Sequence, residues 1–98
     1  MNVRHTDRKL ERLETDRGYT AGFGKDVVSS YRRKMQFIRS AKDERDFYAW
    51  KSLHYEKLKG NRSHQRSMRL NDQFRLILEI QKDAVGNLAV IISIEDYH

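Results

Sequence analysis

The sequence has no cysteine among its 98 residues, so it can form neither a disulfide scaffold nor a zinc site built on thiolates. It also has no run of about twenty apolar residues that would span a membrane, and its first residues do not resemble an apolar signal region. These absences favour a cytoplasmic protein with no membrane partner. A chain of this length predicts one domain, residues 1–98, with one modest core.

Acidic residues are too few to balance the basic ones. Lysine and arginine number 20 against 14 aspartate and glutamate, which gives a formal net charge of +6. A positive field attracts polyanions, so nucleic acid is the first partner to consider. The apolar residues lie in periodic segments, which argues against disorder despite the many charges.

The first half of the chain predicts a strand followed by helices. Residues 2–5 suit a strand, and Thr6 or Asp7 suits the N-cap of a helix that carries a thin apolar stripe, Leu10 and Leu13. The following segment, GYTAGFG, predicts a loop. It is not a phosphate-binding fingerprint, because no strand precedes it and its glycines are in the wrong order.

Residues 25–41 give the strongest helix prediction. Spacings of three and four place these apolar residues on one face: Val28, Tyr31, Met35 and Ile38. We interpret Arg32, Arg33 and Arg39 as a solvated face in preference to an RNA-binding surface. A third helix is predicted over residues 43–52, with Trp50 as a core anchor.

After Leu53 the pattern alternates as in strands. One strand is predicted over residues 64–70, and in the next the apolar positions beginning at Phe74 face the core while Arg75 faces solvent. The last strand, residues 88–94, is apolar on both faces and should be central. The predicted fold is α+β: a small antiparallel sheet in the order β-α-α-β-β-β, with two to three helices on one face and basic strands exposed on the other.

The chain ends on Glu95, Asp96, Tyr97 and His98, directly after its most apolar run. An acid, a phenol and an imidazole at the end of a packed strand suggest a chemical role, since chain ends are usually small and polar. A solvated strand end remains the alternative interpretation.

Three segments resemble the HigB branch of the RelE-type toxins of bacterial type II toxin–antitoxin systems: LKGNR (58–62), SMRLNDQFRL (67–76) and the closing EDYH (95–98). The resemblance implies a compact RelE-like sheet with helices on one side. It also implies ribosome-dependent cleavage of mRNA, without a cofactor. The implied partners are the ribosome, mRNA and a cognate HigA-like helix-turn-helix antitoxin, with DNA contacts only through the antitoxin complex.

Matching the motifs residue by residue, the resemblance implies that these residues are catalytic: Lys59, Arg75, Asp96, Tyr97 and His98. Some members have a histidine three residues before that lysine. Here Glu56 occupies the position and the nearest histidine is His54, so the roles of both residues are left open.

The chemistry is consistent with that set. Cleaving RNA without metal requires a base for the ribose 2′-OH, cations for the charge on the phosphate, and an acid for the leaving 5′-oxygen. His98 suits proton transfer, Lys59 and Arg75 suit the phosphate, and Tyr97 can stack on a base. Strict strand alternation would place Tyr97 and His98 on opposite faces.

The remaining basic residues of this half are predicted to bind RNA: Lys57, Arg62, Arg66 and Arg69. No metal site is predicted, because the histidines, including His5 and His64, are irregularly spaced and have no cysteine to help them.

Two other functions are compatible with the sequence. A non-catalytic RelE-fold module would bind RNA or an acidic partner through the basic face without cutting. A repressor that binds DNA alone is the weaker alternative, because the sequence shows no convincing helix-turn-helix and its basic residues follow the strands.

Overall fold

A computed structural model of the protein describes residues 1–96, apart from the side chain of Asp83. The strands are β1 (Asn2–His5), β2 (Glu56–Lys57), β3 (Arg66–Arg69), β4 (Phe74–Asp83) and β5 (Gly86–Asp96). The helices are α1 (Arg8–Thr15), α2 (Lys25–Ser40) and α3 (Arg45–Ala49), with short 3-10 segments at Lys51–Leu53 and Gly60–Arg62. The described strands form one sheet in the order β1-β5-β4-β3-β2.

The predicted α+β architecture is confirmed, with one refinement to the sheet. Strands β2 to β5 pair antiparallel, whereas β1 runs parallel to β5, so the sheet is mixed. Tight connections force neighbouring strands to run antiparallel. No such turn joins β1 to β5, because the helices and the other strands lie between them in the chain. As predicted, β5 lies inside the sheet, between β1 and β4, although β4 has the middle position.

Side chains bind backbone groups at both ends of α1, and at its C-terminal end the side chain comes from α2. Asp7 is the N-cap of α1, and its Oδ1 accepts a hydrogen bond of 2.8 Å from the backbone N–H of Lys9. At the other end of α1, the Arg32 guanidinium donates to the carbonyls of Leu13, Asp16 and Tyr19, at 3.0, 2.9 and 3.2 Å. The prediction of a solvated face is therefore wrong for Arg32, which satisfies carbonyls that α1 leaves without an intrahelical donor.

The core lies between the helices and one face of the sheet. The apolar stripe predicted for α2 is buried, as are Leu10 and Leu13 of α1 and Leu76 and Leu78 of β4. The prediction for Trp50 is wrong: the helix ends at Ala49, and Trp50 is 36% exposed. Phe47 fills the core in its place and is fully buried.

A β-bulge at Ile92 changes which side of β5 faces the helices. Ile77 is opposite Ser93 and Leu78 is opposite Ile91, so Ile92 is an extra residue on β5. Before the bulge Ile91 packs in the core, and after it Ile94 does so. Consequently Ser93 and Glu95 project from the face opposite the helices.

Among the helices described, none is long and apolar enough to cross a bilayer.

Candidate functional site

The face of the sheet opposite the helices carries a band of polar side chains, which we call the outer face. Register places Ser67 beside Ile77 and Ser93, and Arg69 beside Arg75 and Glu95. Paired residues on neighbouring strands project to the same side. The outer face is therefore defined by Ser67, Arg69, Arg75, Ile77, Ser93 and Glu95.

Arg75 is the centre of this face. The sequence predicted that it faces solvent, but its side chain is buried. Its exposed fraction is 7%. Its Nε donates a hydrogen bond of 3.0 Å to Ser67 Oγ, and its Nη2 donates to the backbone carbonyl of His54. The Ser67 hydroxyl of β3 and the backbone carbonyl of His54 therefore hold the guanidinium in place.

Arg75 lines two shallow concavities, each of about 190 Å³. The first is lined by His54, Arg69, Asn71, Asp72 and Arg75. The second is lined by Leu58, Arg62, Ser67, Arg75, Ile77, Glu95 and Asp96. A group bound in either concavity would meet the same guanidinium, which suits the recognition of an anion such as a phosphate.

His54 reaches Arg75 through its backbone. It has φ 47° and ψ 50°, a left-handed conformation that is uncommon for residues other than glycine. This conformation ends the 3-10 segment Lys51–Leu53 and directs the carbonyl at the Arg75 guanidinium. The exposed imidazole lines the first concavity beside Arg69, whose guanidinium contacts the carboxylate of Asp72.

Arg62 and Glu95 form a two-pronged ion pair across the second concavity. Arg62 Nη1 and Nη2 donate to the two carboxylate oxygens of Glu95, at 3.0 and 2.7 Å, and Ser93 Oγ donates to one of them at 2.7 Å. The hydrogen bond from Arg62 is the main reason that the pKa of Glu95 lies below its usual value. Glu95 is therefore ionised at neutral pH, and it holds Arg62 over the concavity.

A scan against models of protein families matches residues 4–98 to the HigB-like toxins, described as the RelE-like toxin of the type II toxin–antitoxin system HigB. The chain belongs to the HigB-like toxin family. This confirms the resemblance that the motifs LKGNR, SMRLNDQFRL and EDYH suggested. A type II toxin is paired with a protein antitoxin, so this HigB-like toxin has an antitoxin as partner.

Solved structures support the RelE-like fold. A YoeB/ParE toxin from Agrobacterium tumefaciens is 19% identical, with a TM-score of 0.65 and coverage of 100% of both chains. A conserved hypothetical protein from Helicobacter pylori is 11% identical, with a TM-score of 0.55 over 99% of this chain and 94% of that one. At these identities the likeness concerns the fold alone. No curated protein matches the HigB-like toxin significantly by sequence.

The structure brings some of the predicted site residues together. Arg62, Arg75 and Asp96 line the second concavity, and Arg69 joins Arg75 in the first. Asp96 is exposed and accepts a hydrogen bond of 2.9 Å from Gln73 Nε2. Tyr97 and His98 lie outside the described residues.

Other predicted residues lie apart from the concavities. Lys59 is exposed and directly precedes the 3-10 segment Gly60–Arg62, but it lines neither concavity. Lys57 pairs in register with Arg66. Arg66 lies on the helix side of the sheet, where its Nε donates to Glu44 at 3.2 Å, so the predicted set of RNA-binding residues is divided between two faces.

Sequence reasoning missed two contributors to the outer face, Ser67 and the backbone of His54, and it left Glu95 of the closing EDYH out of the catalytic set. Ser67 could have been found, because strand alternation places it on the same side as Arg69. The bulge at Ile92 conceals the side on which Glu95 projects, and backbone conformation at His54 has no signal in residue type. Within residues 1–96, no three histidine, aspartate or glutamate side chains converge as metal ligands would.

Proposed function

We propose that this HigB-like toxin is a ribosome-dependent mRNA endonuclease that inhibits translation by metal-independent acid–base cleavage of RNA. Family membership and the fixed guanidinium of Arg75 support the proposal. Arg75 presents a planar guanidinium, which matches the geometry of a phosphate, and lies in the wall of both concavities. Such a group stabilises charge on a phosphate without first having to reorient.

In the proposed reaction a base removes the proton of the ribose 2′-OH, and the 2′-oxygen attacks the adjacent phosphorus. The bond to the 5′-oxygen breaks, and an acid protonates that oxygen as it leaves. Arg75 and Lys59 would neutralise the phosphate, while Asp96, Tyr97 and His98 would serve proton transfer and base stacking. Lys57, Arg62 and Arg69 are the candidate RNA-binding residues, whereas Arg66 is bound to Glu44 on the helix side of the sheet and is not among them.

The proposed setting is the cytoplasm, where ribosomes and mRNA are the targets. The proposed antitoxin is a HigA-like helix-turn-helix protein, and DNA would be contacted only through the complex with it. The whole of residues 1–98 is proposed to act as a single toxin domain.

The proposal is tested with two exposed lysines. We expect induced expression of the wild type to arrest growth of a bacterial host and to yield cleaved messages on translating ribosomes, mapped by primer extension. Lys59→Ala should reduce cleavage about 100-fold or more, the range found when one donor to a developing charge is removed. The control is Lys82→Ala, which removes an exposed lysine near the β4–β5 turn and should leave cleavage unchanged.

Two results would contradict the proposal. The first is growth arrest without any cleaved message, which would favour the non-catalytic binding module. The second is that Lys59→Ala and Lys82→Ala cleave RNA equally well and that deletion of His98 leaves toxicity normal. In that case the proposed residues would not carry out the reaction.

A further inference from the structure

Lys34 of α2 is a buried lysine. Its exposed fraction is 9%. Its ammonium donates one hydrogen bond, of 3.3 Å, to Ser30 Oγ and lies 5.0 Å from the centre of the Trp50 ring. Among the residues that the structure describes, none places a carboxylate within salt-bridge distance of it.

This arrangement is costly for the isolated toxin. Burial, with repulsion from Arg33 as a smaller cause, lowers the pKa of Lys34. A lowered pKa means that the folded state disfavours the ammonium relative to the neutral amine. An ammonium has three N–H donors, and the ring face offers only a weak substitute for an anion.

Aromatic surface lies beside this charge. Trp50 is 36% exposed and meets the half-buried Phe37 edge to face, with 4.7 Å between the ring centres. Tryptophan is strongly enriched among the residues that dominate protein–protein binding energies. We call Lys34, Phe37 and Trp50 the Lys34 patch.

We propose that the Lys34 patch is the docking site of the antitoxin, which packs an apolar side chain on Trp50 and brings a carboxylate to the Lys34 ammonium. The inference rests on membership of the type II toxin family and is independent of the proposed nuclease activity. A carboxylate on a single side chain can reach a charge that is nine-tenths buried. An RNA backbone would instead require exposed cations along its path, so a protein partner fits this patch better.

Lys34→Met removes the charge and keeps an unbranched side chain that is one atom shorter. We expect the Kd for the antitoxin encoded beside the toxin gene, measured by isothermal titration calorimetry, to rise about thirty-fold, since breaking one side of a buried charge pair is costly. The free toxin should melt no lower than the wild type, because an unbalanced buried charge is removed. Trp50→Ala should also weaken binding, whereas Lys82→Met should not.

Chemical crosslinking provides a direct readout. In the complex, a carbodiimide activates carboxylates, and an amine in contact displaces the urea to form an amide bond. Mass spectrometry should find Lys34 joined to an aspartate or glutamate of the antitoxin, and this product should disappear in Lys34→Met. The proposal is overturned if Lys34→Met binds the antitoxin as tightly as the wild type. It is also overturned if that variant loses ribosome binding instead, since the patch would then recognise RNA.

Discussion

At the residue scale, the left-handed conformation of His54 determines where the Arg75 guanidinium is held. The conformation costs a residue with a Cβ about 1–2 kcal/mol, and it directs the His54 carbonyl at Arg75. Glycine adopts this conformation without that cost. We therefore expect His54→Gly to keep both the carbonyl contact and near-normal RNA cleavage, with a Tm equal to or above that of the wild type.

His54→Val is the contrasting variant, because a β-branched residue is poorly tolerated at positive φ. It should lower stability by about 1–3 kcal/mol and reduce cleavage, since the carbonyl would move away from Arg75. Thermal unfolding and primer extension measure the two effects. If His54→Gly folds normally yet loses cleavage, the imidazole itself takes part in the chemistry and the backbone explanation is wrong.

At the scale of elements, the bulge at Ile92 determines which side chains reach the outer face. Deleting Ile92 would shift the rest of β5 by one residue and reverse its two sides. Glu95 would then project toward the core and lose its ion pair with Arg62, leaving a buried charge without a partner. We expect the deletion to destabilise the fold by several kcal/mol, enough to prevent a cooperative thermal transition by circular dichroism.

The control for the deletion is Ile92→Val, which keeps the length of β5. Because Ile92 is half-buried, Ile92→Val should lower the free energy of unfolding by an amount near the lower end of the usual range of about 0.5–1.5 kcal/mol. A deletion variant that melts like the wild type would show that the register of β5 is not specified by the bulge.

The bulge at Ile92 also shows which features of the fold can be predicted from the sequence and which cannot. Periodicity predicts α2 well, because this helix buries one regular stripe, and in β4 it correctly places Leu76 and Leu78 on the core side. An extra residue in β5 interrupts the alternation, and no residue type marks its position. Alternation also gives the correct side of β4 for Arg75, but it does not predict that Arg75 is buried. The burial depends on Ser67 and on the His54 carbonyl, which belong to other segments of the chain.

The position of Trp50 was missed for a related reason. A spacing of three from Phe47 places both rings on one face only while the helix continues. The chain leaves helical geometry at Trp50, which has φ −88° and ψ 89°. That change exposes part of the indole and puts it beside Lys34, where the surface carries a charge and an aromatic ring together.

At the scale of the whole molecule, the net charge of +6 predicts RNA binding that weakens with salt, but only some of the cations contribute. Arg66 is bound to Glu44 on the helix side of the sheet, whereas Lys59 is exposed and follows Leu58, which lines the second concavity. Each phosphate contact on single-stranded RNA contributes about 0.7 to the slope of log K against log salt. We therefore expect Lys59→Ala to reduce the slope by about this amount.

Arg66→Gln should leave the slope unchanged, although it weakens the contact with Glu44, and Lys82→Ala should also leave it unchanged. The measurement is fluorescence anisotropy of a labelled single-stranded RNA over a series of KCl concentrations. A reduced slope for Arg66→Gln would mean that RNA reaches the helix side of the sheet as well. If Lys59→Ala leaves the slope of log K against log salt unchanged, Lys59 does not contact a phosphate. Losing one phosphate contact releases one fewer counterion, and this reduces the slope whether or not the RNA is cleaved.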